Sequence, residues 1–480
     1  MKPNLIYVFA DQLRWRSLGY TGDPRARTPH IDQLSRESAD LCNAVSGHPV
    51  CAPYRATLLT GKYTTSTGMV INEIRLNPDQ RSFAHVLRDS GYAVEYIGKW
   101  HLYAANLGDH YNPENSFIPP GPHRLGFDGF FAAYNFHHEY YAPQAYYHLD
   151  TPQKIAVDGY EPDVQTDLAI ERLKILHDQP HPFALFLSLG TPHDPWTPEN
   201  VPPADYAEFQ DVDFSLPPNY LPRNDPHADA WARFERGQRK QLPGWLRVYY
   251  AMVANLDRNV GRLTAALRQL GLEQNTLFVF TSDHGELFGA HGRHAKNIFY
   301  DEAVRVPFLL KTAGLPPGPR GVCLNTVDIM PTLLSLLGLP IPEAVEGTDL
   351  SGRIREADEP AQAPPGVETP LEMEGALMMG TGPTAVWGDG YEWRAYRTRQ
   401  YTYAIYRSDR QEFLFDNLAD PYQLTNLAGD ECCAAVREGL KAAMYSKMQA
   451  VGDTFEKNSY YRKNWVENRL ILRAGARKHG

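Results

Sequence analysis

A cysteine and an arginine stand four residues apart in the segment Cys51-Ala-Pro-Tyr-Arg55. Pro53 favours a first helical turn, so we predict that Cys51 lies at a helix N-terminus. Free backbone N–H groups at such an end favour an anion and lower the pKa of a thiol. One helical turn brings Arg55 back to the same face. The segment thus places a reactive thiol and a guanidinium group close together. The alternative is that Cys51 is simply buried, which is the more common situation for a lone cysteine before a helix.

Polar residues follow three of the predicted strands, at Asp11-Gln12, Lys99-Trp-His101 and Ser282-Asp-His284. Loops at the carboxyl ends of parallel strands build the binding site of an α/β sheet. Carboxylates, an amide oxygen and an imidazole form a ligand set for a divalent cation, here Asp11, Gln12, Asp283 and His284. The alternative is that these acids cap turns after strands.

Alternating apolar and amphipathic segments must position these residues. We predict strands at residues 5–10, 93–97, 183–189, 277–281 and 306–311. We predict helices at residues 29–38, with Thr28 as N-cap, and at 83–90, 163–178 and 245–270. Nearly continuous apolar strands are typical of parallel sheets covered on both faces, so the fold class is α/β with a doubly wound, mostly parallel sheet.

The character of the sequence changes after residues 355–370, a segment rich in proline, alanine and acids that reads as a linker or long surface loop. Strands predicted within 391–406 and at 413–416, with a helix at 431–451, form a smaller C-terminal α+β subdomain. We therefore predict a larger α/β domain over residues 1–360 and this subdomain over 371–480. Arg394 and Arg397 are candidates for contact with an anionic substrate, surface positions being the alternative.

Composition excludes several classes of protein. The chain has 480 residues, 43% of them hydrophobic, and a formal net charge of −10, which is typical of a globular protein. This balance gives no basis for a nucleic-acid partner, although a local pocket can still be positive. Five cysteines argue against a disulfide framework. Apart from Cys51, they are interpreted as structural or incidental: Cys42, Cys323, Cys432 and Cys433.

No window of the sequence has the length of an apolar membrane span. The apolar run at residues 5–10 is also shorter than the core of a signal peptide. We therefore expect a cytoplasmic protein without membrane contact. A periplasmic or secreted protein whose signal had been removed would read the same way.

The cysteine segment, continued by Ala-Thr-Leu-Leu-Thr-Gly-Lys-Tyr63, resembles the C-x-P-x-R signature of type I sulfatases. Gly91-Tyr-Ala-Val-Glu-Tyr-Ile-Gly-Lys-Trp-His-Leu102 resembles their second signature. Further similar blocks follow in the family's order: Pro3-Asn-Leu-Ile-Tyr-Val-Phe-Ala-Asp-Gln12, Thr28-Pro-His-Ile-Asp32, Thr191-Pro-His193, Ser282-Asp-His-Gly-Glu286 and Phe413-Leu-Phe-Asp-Asn-Leu-Ala-Asp-Pro421. The resemblance covers nearly the whole chain and implies an alkaline-phosphatase-like fold with a smaller C-terminal subdomain.

The resemblance implies that Cys51 is oxidised to formylglycine by a formylglycine-generating enzyme or an equivalent maturase. It also implies one divalent metal, usually Ca²⁺, with Asp11, Gln12, Asp283 and His284 as ligands. Gln12 and His284 stand where many members have Asp and Asn, which moves the preference toward Mn²⁺ or Zn²⁺. Ca²⁺ remains the first expectation.

The resemblance further implies catalytic roles. Arg55 and Lys99 would hold the hydroxyl and sulfate oxygens. His101 would act as the base when the covalent sulfate is expelled. His193 and Lys296 match the pair beside the leaving oxygen and would donate its proton.

Aromatic and histidine residues beside these motifs form a candidate substrate pocket, because aromatic faces suit sugar or aryl rings. The candidate substrate-binding residues are Asn135, His137 and Trp196. Aromatic packing under a long loop is the alternative.

The expected function is a sulfuric ester hydrolase that releases inorganic sulfate from a sulfated carbohydrate or a small aryl or alkyl sulfate. A phosphonate monoester or phosphodiester hydrolase of the same superfamily would share almost every site residue and is the first alternative. A catalytically silent binding protein of the same fold is a more remote one. The sequence leaves open the oligomeric state, the sulfate position, and endo or exo action.

Overall fold

The computed structural model describes residues 2–104, 115–356, 374–381 and 387–473. Its strands, in chain order, are β1 Asn4–Ala10, β2 Ala39–Asp40, β3 Ala93–Lys99, β4 Phe131–Tyr134, β5 Tyr146–Tyr147, β6 Ile155–Ala156, β7 Phe183–Leu189, β8 Thr276–Ser282, β9 Phe308–Lys311, β10 Gly318–Pro319, β11 Ala376–Gly380, β12 Trp393–Arg397, β13 Tyr401–Tyr406, β14 Glu412–Asp416, β15 Val466–Glu467 and β16 Leu470–Ile471. Its α-helices are α1 Pro29–Arg36, α2 Cys51–Thr60, α3 Thr64–Thr67, α4 Phe83–Asp89, α5 Glu161–His177, α6 Pro203–Ala207, α7 Leu242–Gln269, α8 Asp301–Val304, α9 Thr326–Leu336, α10 Ser351–Arg355, α11 Ala434–Ala450 and α12 Asn458–Trp465.

A large sheet forms the centre of the molecule, with strand order β10-β2-β9-β8-β1-β7-β3-β4. Strand β1 pairs in parallel with both β7 and β8, and β3 pairs in parallel with both β7 and β4. Every residue of β1, β7 and β8 is buried. This confirms the α/β class and the mostly parallel sheet, because apolar side chains on both faces require layers of helices above and below.

Strand β9 differs from the prediction in start and direction. It begins at Phe308 rather than at residue 306, and it runs antiparallel to β8. Pro307 precedes it and has no N–H to donate to the ladder, which accounts for the later start. An apolar run specifies burial but not strand direction.

Helix ends also differ from their predicted positions. Helix α5 begins at Glu161, ahead of the predicted start at 163, with Pro162 in its first turn. Helix α7 begins at Leu242, ahead of the predicted start at 245. Thr28 occupies the N-cap position of α1, but its hydroxyl donates to Asp32 Oδ1 at 2.9 Å instead of accepting from the helix.

A glycine allows β3 to pack closely on β7 just before Lys99. Gly98 has φ +105°, and a Cβ atom at this position would lie 2.0 Å from the carbonyl oxygen of Ser188. Such a contact is excluded by sterics, so any other residue would separate the strands. The glycine therefore fixes how Lys99 leaves the sheet.

The C-terminal region contains an antiparallel sheet of order β11-β12-β13-β14, as the predicted α+β subdomain requires. Helix α11 packs on it through Leu440, Met444 and Met448. Arg394 and Arg397 are buried in β12, where they pair with Asp453 and Asp301 at 2.5 Å each. They are therefore structural ion pairs, which corrects the expectation of a substrate contact or a surface position.

The boundary between the two predicted domains stays a prediction. Most of the predicted linker at 355–370 lies outside the described residues. Among the described helices, none combines the length and the apolar character that crossing a membrane requires.

Candidate active site

The carboxyl ends of four neighbouring strands meet at one edge of the large sheet. Asp11 follows β1, Lys99 ends β3, His193 lies four residues beyond β7, and Asp283 follows β8. All four side chains are buried. Residues far apart in sequence are thus brought together because their strands are adjacent in the order β8-β1-β7-β3.

Cys51 is the first residue of α2, as predicted, and is 1% exposed. Its Sγ lies 3.2 Å from Nε2 of His284 and 3.6 Å from Oδ1 of Asp11. Burial and the charge of Asp11 oppose ionisation of the thiol, but Lys296 and Lys99 outweigh them and lower its pKa to about 7. The sulfur therefore lies among charged groups and not in an apolar core.

Arg55 returns to the face of α2 that carries Cys51 and reaches the same cluster. Its Nη2 donates to Asp11 Oδ2 at 3.1 Å and lies 3.6 Å from Asp283 Oδ2. Its Nη1 donates to the carbonyl oxygen of Lys99 at 2.6 Å and to Ser188 Oγ at 2.7 Å. These contacts fix the guanidinium between the two carboxylates.

Asp11 is the carboxylate that the cations of the cluster contact most closely. Lys99 Nζ donates to its Oδ2 at 2.6 Å. Burial opposes ionisation of Asp11, yet the charges of Lys99, His193 and Arg55 hold its pKa well below the usual value. Asp283 differs, because burial and the charge of Asp11 raise its pKa to about 6.

Four groups lie close enough to share one ion. Asp11, Cys51, Asp283 and His284 each offer a ligand atom, and all of these atoms lie within 4.8 Å of one another. Nδ1 of His284 is 3.0 Å from the carbonyl oxygen of Gly285, which can only accept. Nδ1 therefore carries the proton, and the lone pair of Nε2 is left for a metal.

Gln12 lies beside this group in a left-handed conformation with φ 71°. Its backbone N–H donates to Asp283 Oδ1 at 2.9 Å, and its Nε2 donates to Glu286 Oε2 at 2.8 Å. Its amide oxygen accepts a hydrogen bond from Lys296. The predicted ligand atom of Gln12 is thus engaged by a cation in this structure.

His193 and Lys296 form the predicted pair, with Nε2 and Nζ 2.9 Å apart. On its other side, His193 Nδ1 lies 2.9 Å from Asp194 Oδ1. Burial and Lys296 oppose protonation of His193, but Asp194 and Asp11 outweigh them and raise its pKa to about 9. An N–H···N contact needs a lone pair on one of the two nitrogens, so one of these bases donates a hydrogen bond to the other.

His101 is fully buried, and its ring packs 4.5 Å from that of Phe136. Its backbone N–H donates to the carbonyl oxygen of Asn135 at 2.9 Å. The side-chain oxygen of Asn135 accepts from the N–H of Tyr103 at 2.9 Å. Asn135 thus holds the loop that carries His101.

The other two predicted pocket residues are half-buried and packed against other side chains. His137 stacks on Tyr134 with ring centroids 3.7 Å apart, and its Nε2 lies 3.2 Å from Glu161 Oε2. Trp196 donates to the carbonyl oxygen of Pro192 at 2.9 Å and packs on Phe288. These contacts hold both rings in place, and their part in substrate binding stays a prediction.

Three contributors were not singled out from the sequence. Asp194 directly follows the Thr-Pro-His motif, so its position next to a predicted proton donor was a usable signal. Glu286 stands inside the matched Ser-Asp-His-Gly-Glu block and orients Gln12. Ser188 lies within an apolar strand and carries no local signal of its contact with Arg55.

A large, mostly parallel sheet with a C-terminal antiparallel subdomain and a buried polar cluster at one edge of the sheet is the architecture of the alkaline phosphatase superfamily. The Sulfatase family model matches residues 3–339, and the chain belongs to this family. It is therefore a sulfuric ester hydrolase. Membership implies a formylglycine and a divalent metal.

Named relatives agree with this assignment. The chain is 36% identical to an ulvan-active sulfatase of Formosa agariphila over 97% of its own length and 84% of the relative's. It is 29% identical to an endo-4-O-sulfatase of Bacteroides thetaiotaomicron, over 89% and 88% of the two chains. A solved sulfatase structure from Bacteroides fragilis superposes with a TM-score of 0.79 at 28% identity and covers 96% of this chain and 98% of the other.

The network under His137 yields a prediction about pH. Burial outweighs the hydrogen bond from Tyr134 and raises the pKa of Glu161 to about 8. Folding then favours the protonated carboxyl. Its stabilising effect is complete below about pH 4.5, the usual carboxyl value, and is lost as the pH rises through about 8.

Glu161→Gln keeps the size of the side chain and removes its titration. We expect this variant to exceed the wild type by about 2 kcal/mol or more in free energy of unfolding near pH 9, and to match it near pH 4. Urea unfolding at both pH values measures this difference. Glu171→Gln, an exposed change on the same helix, is the control, and a parallel loss of stability in E161Q and wild type would contradict the prediction.

Proposed function

We propose that the chain releases inorganic sulfate from a sulfated carbohydrate, with Cys51 converted to formylglycine as its nucleophile. The observation that carries this proposal is the position of the Cys51 sulfur between His284 and Asp11, at 3.2 and 3.6 Å. A hydroxyl of the hydrated aldehyde at this position would lie next to the predicted metal ligands and close to Arg55, Lys99 and Lys296. These positive charges would stabilise both the ionised nucleophile and the bound sulfate.

The buried groups fit a divalent metal. Asp283 Oδ2 is buried and lacks a hydrogen bond within the described residues, although Arg55 Nη2 lies 3.6 Å away. A buried carboxylate oxygen without a hydrogen-bond donor, together with the lone pair of His284 Nε2, matches a cation site. Asp11, Asp283 and His284 would hold the ion, which when bound activates the nucleophile and polarises the sulfate.

Gln12 would complete the ligand set through its amide oxygen. This oxygen has two lone pairs, so it can keep the hydrogen bond from Lys296 and also face an ion. Oxygen donors favour Ca²⁺, our first choice, while the imidazole of His284 also suits Mn²⁺ or Zn²⁺.

The remaining residues have roles that follow from their contacts. Arg55 and Lys99 both contact Oδ2 of Asp11 and would stabilise charge on the sulfate oxygens. His193 and Lys296 lie 2.9 Å apart, and His193 would deliver a proton to the leaving oxygen. His101 would serve as the base in release of the covalent sulfate.

The relatives support a carbohydrate substrate, since one of them is named as active on ulvan. Sulfate release should be measured on sulfated carbohydrates, on an aryl sulfate and on a phosphonate monoester, with peptide mass spectrometry of the Cys51 segment on the same preparation. We expect an aldehyde at Cys51 in active protein and a loss of roughly 10³-fold or more in Cys51→Ala. Cys42→Ala is the control, and activity carried by unmodified thiol would contradict the proposal.

Metal dependence is the second prediction. Removing the metal should abolish activity, and adding Ca²⁺ or Mn²⁺ should restore it and raise the free energy of unfolding by about 2.7 kcal/mol at a hundred times the dissociation constant. Asp283→Asn should lose both responses, whereas Asp213→Asn, an exposed change, should keep them. Full turnover by protein shown by elemental analysis to be metal-free would refute the site.

The proton donor is tested by leaving-group dependence. His193→Ala should reduce turnover of a sugar sulfate by roughly 10² to 10⁴-fold, because its alkoxide leaving group needs a proton. A nitrophenyl sulfate should be affected much less, since its leaving group is already a weak base. Exposed His181→Ala should change neither rate, and equal losses on both substrates in H193A would argue against this role.

A further inference from the structure

One buried arginine lies outside the catalytic cluster and has no acceptor. Arg14 is 6% exposed, yet within the described ranges its guanidinium donates no hydrogen bond and pairs with no carboxylate. The other buried arginines each donate to at least one acceptor: Arg55, Arg75, Arg124, Arg293, Arg320, Arg394 and Arg397. A buried cation without an acceptor is unfavourable, so it marks a place where the partner comes from outside the chain.

The position of Arg14 is fixed by its backbone. Its N–H donates to the hydroxyl of Tyr249 at 2.8 Å, and that hydroxyl donates to the carbonyl oxygen of Gln12 at 2.8 Å. Its guanidinium carbon lies 5.7 Å from the ring centroid of Phe288. The backbone of Arg14 is thus held beside the active-site loop, with its guanidinium near the ring of Phe288.

Arg14 lines a cavity of about 360 Å³ together with two further arginines. Arg25 is neutralised there by Asp23, through two contacts of 2.9 Å. Arg16 donates to the carbonyl oxygen of Pro421 at 2.6 Å and has no carboxylate partner among the described residues. Two guanidinium groups with no carboxylate partner in the described part of the chain therefore line one cavity of a protein with net charge −10.

We propose that this cavity binds an oxyanion, a sulfate or a carboxylate, held by the planar donors of Arg14 and Arg16. Guanidinium groups bind such anions through paired N–H donors, and burial strengthens the contact. The oxyanion is either free inorganic sulfate or an anionic group of a longer substrate. Binding of the free ion does not depend on the proposed function, whereas the substrate arm of the test rests on it.

The first arm locates the anion directly. Wild-type crystals soaked in selenate, a sulfate analogue found by its anomalous scattering, should show selenium in the cavity, and Arg14→Met crystals should not. An empty cavity at a concentration that fills the catalytic site would overturn the proposal.

The second arm measures stability in solution. Without anion, Arg14→Met should melt about 2 °C or more above the wild type, because it removes an unpaired buried charge. Sulfate, compared with chloride at equal ionic strength, should then raise the melting temperature of the wild type and of the exposed control Arg36→Met more than that of R14M. Equal gains in all three proteins would mean an adventitious ion only, and would overturn the proposal even if selenium appears in the crystal.

The third arm identifies the source of the anion. If the cavity takes a group of the substrate, Arg14→Met should raise KM about tenfold or more for an oligosaccharide with a second acidic group and leave an aryl sulfate unchanged, with Arg14→Lys in between. If it takes free sulfate, both KM values should stay the same while the stability difference persists. Either result supports an oxyanion site. The selenium experiment needs no catalytic activity, so an empty cavity contradicts the anion site, whereas an inactive enzyme contradicts only the proposed function.

Discussion

The structure depends on neutralising the buried negative charge of one carboxylate, that of Asp11, at the edge of the sheet. Asp11 can stay ionised there only because Lys99 and Arg55 contact it at 2.6 and 3.1 Å. Those two cations come from β3 and α2, so the charge requirement fixes how both elements approach β1. The same contacts place Cys51 one helical turn away from Arg55, which couples the position of the nucleophile to the charge balance of the core.

Much of the fold followed from apolar pattern. Strand β7 occupies 183–189 as predicted, and β1, β3 and β8 extend their predicted ranges by one or two residues. Continuous apolar runs specify buried strands well because both faces must be covered. The direction of β9 does not follow from its sequence, because an apolar run is equally compatible with parallel and antiparallel pairing. Pro307 affects only the residue at which the strand starts.

The site residues that belong to a short sequence motif were predictable, whereas contacts between residues far apart in the sequence were less so. Cys51 and Arg55 share one helical turn, and the acids follow strands, so order along the chain was enough. Gln12 accepting from Lys296 joins residues 284 positions apart, which no local pattern encodes. Trp196 and His137 were candidates because of their residue type, but type alone does not distinguish a packed aromatic group from one that lines a pocket.

The contacts of Gln12 explain why an amide, and not a carboxylate, occupies this position. The cluster already buries the carboxylates of Asp11 and Asp283 against the cations of Arg55, Lys99 and Lys296. A carboxylate in place of the amide would add a further buried negative charge beside Glu286, which now accepts from the amide nitrogen at 2.8 Å. That charge would repel both Glu286 and an incoming sulfate. An amide provides the ligand oxygen without that repulsion, so the residue that departs from the common sulfatase pattern keeps the site positive for an anionic ester.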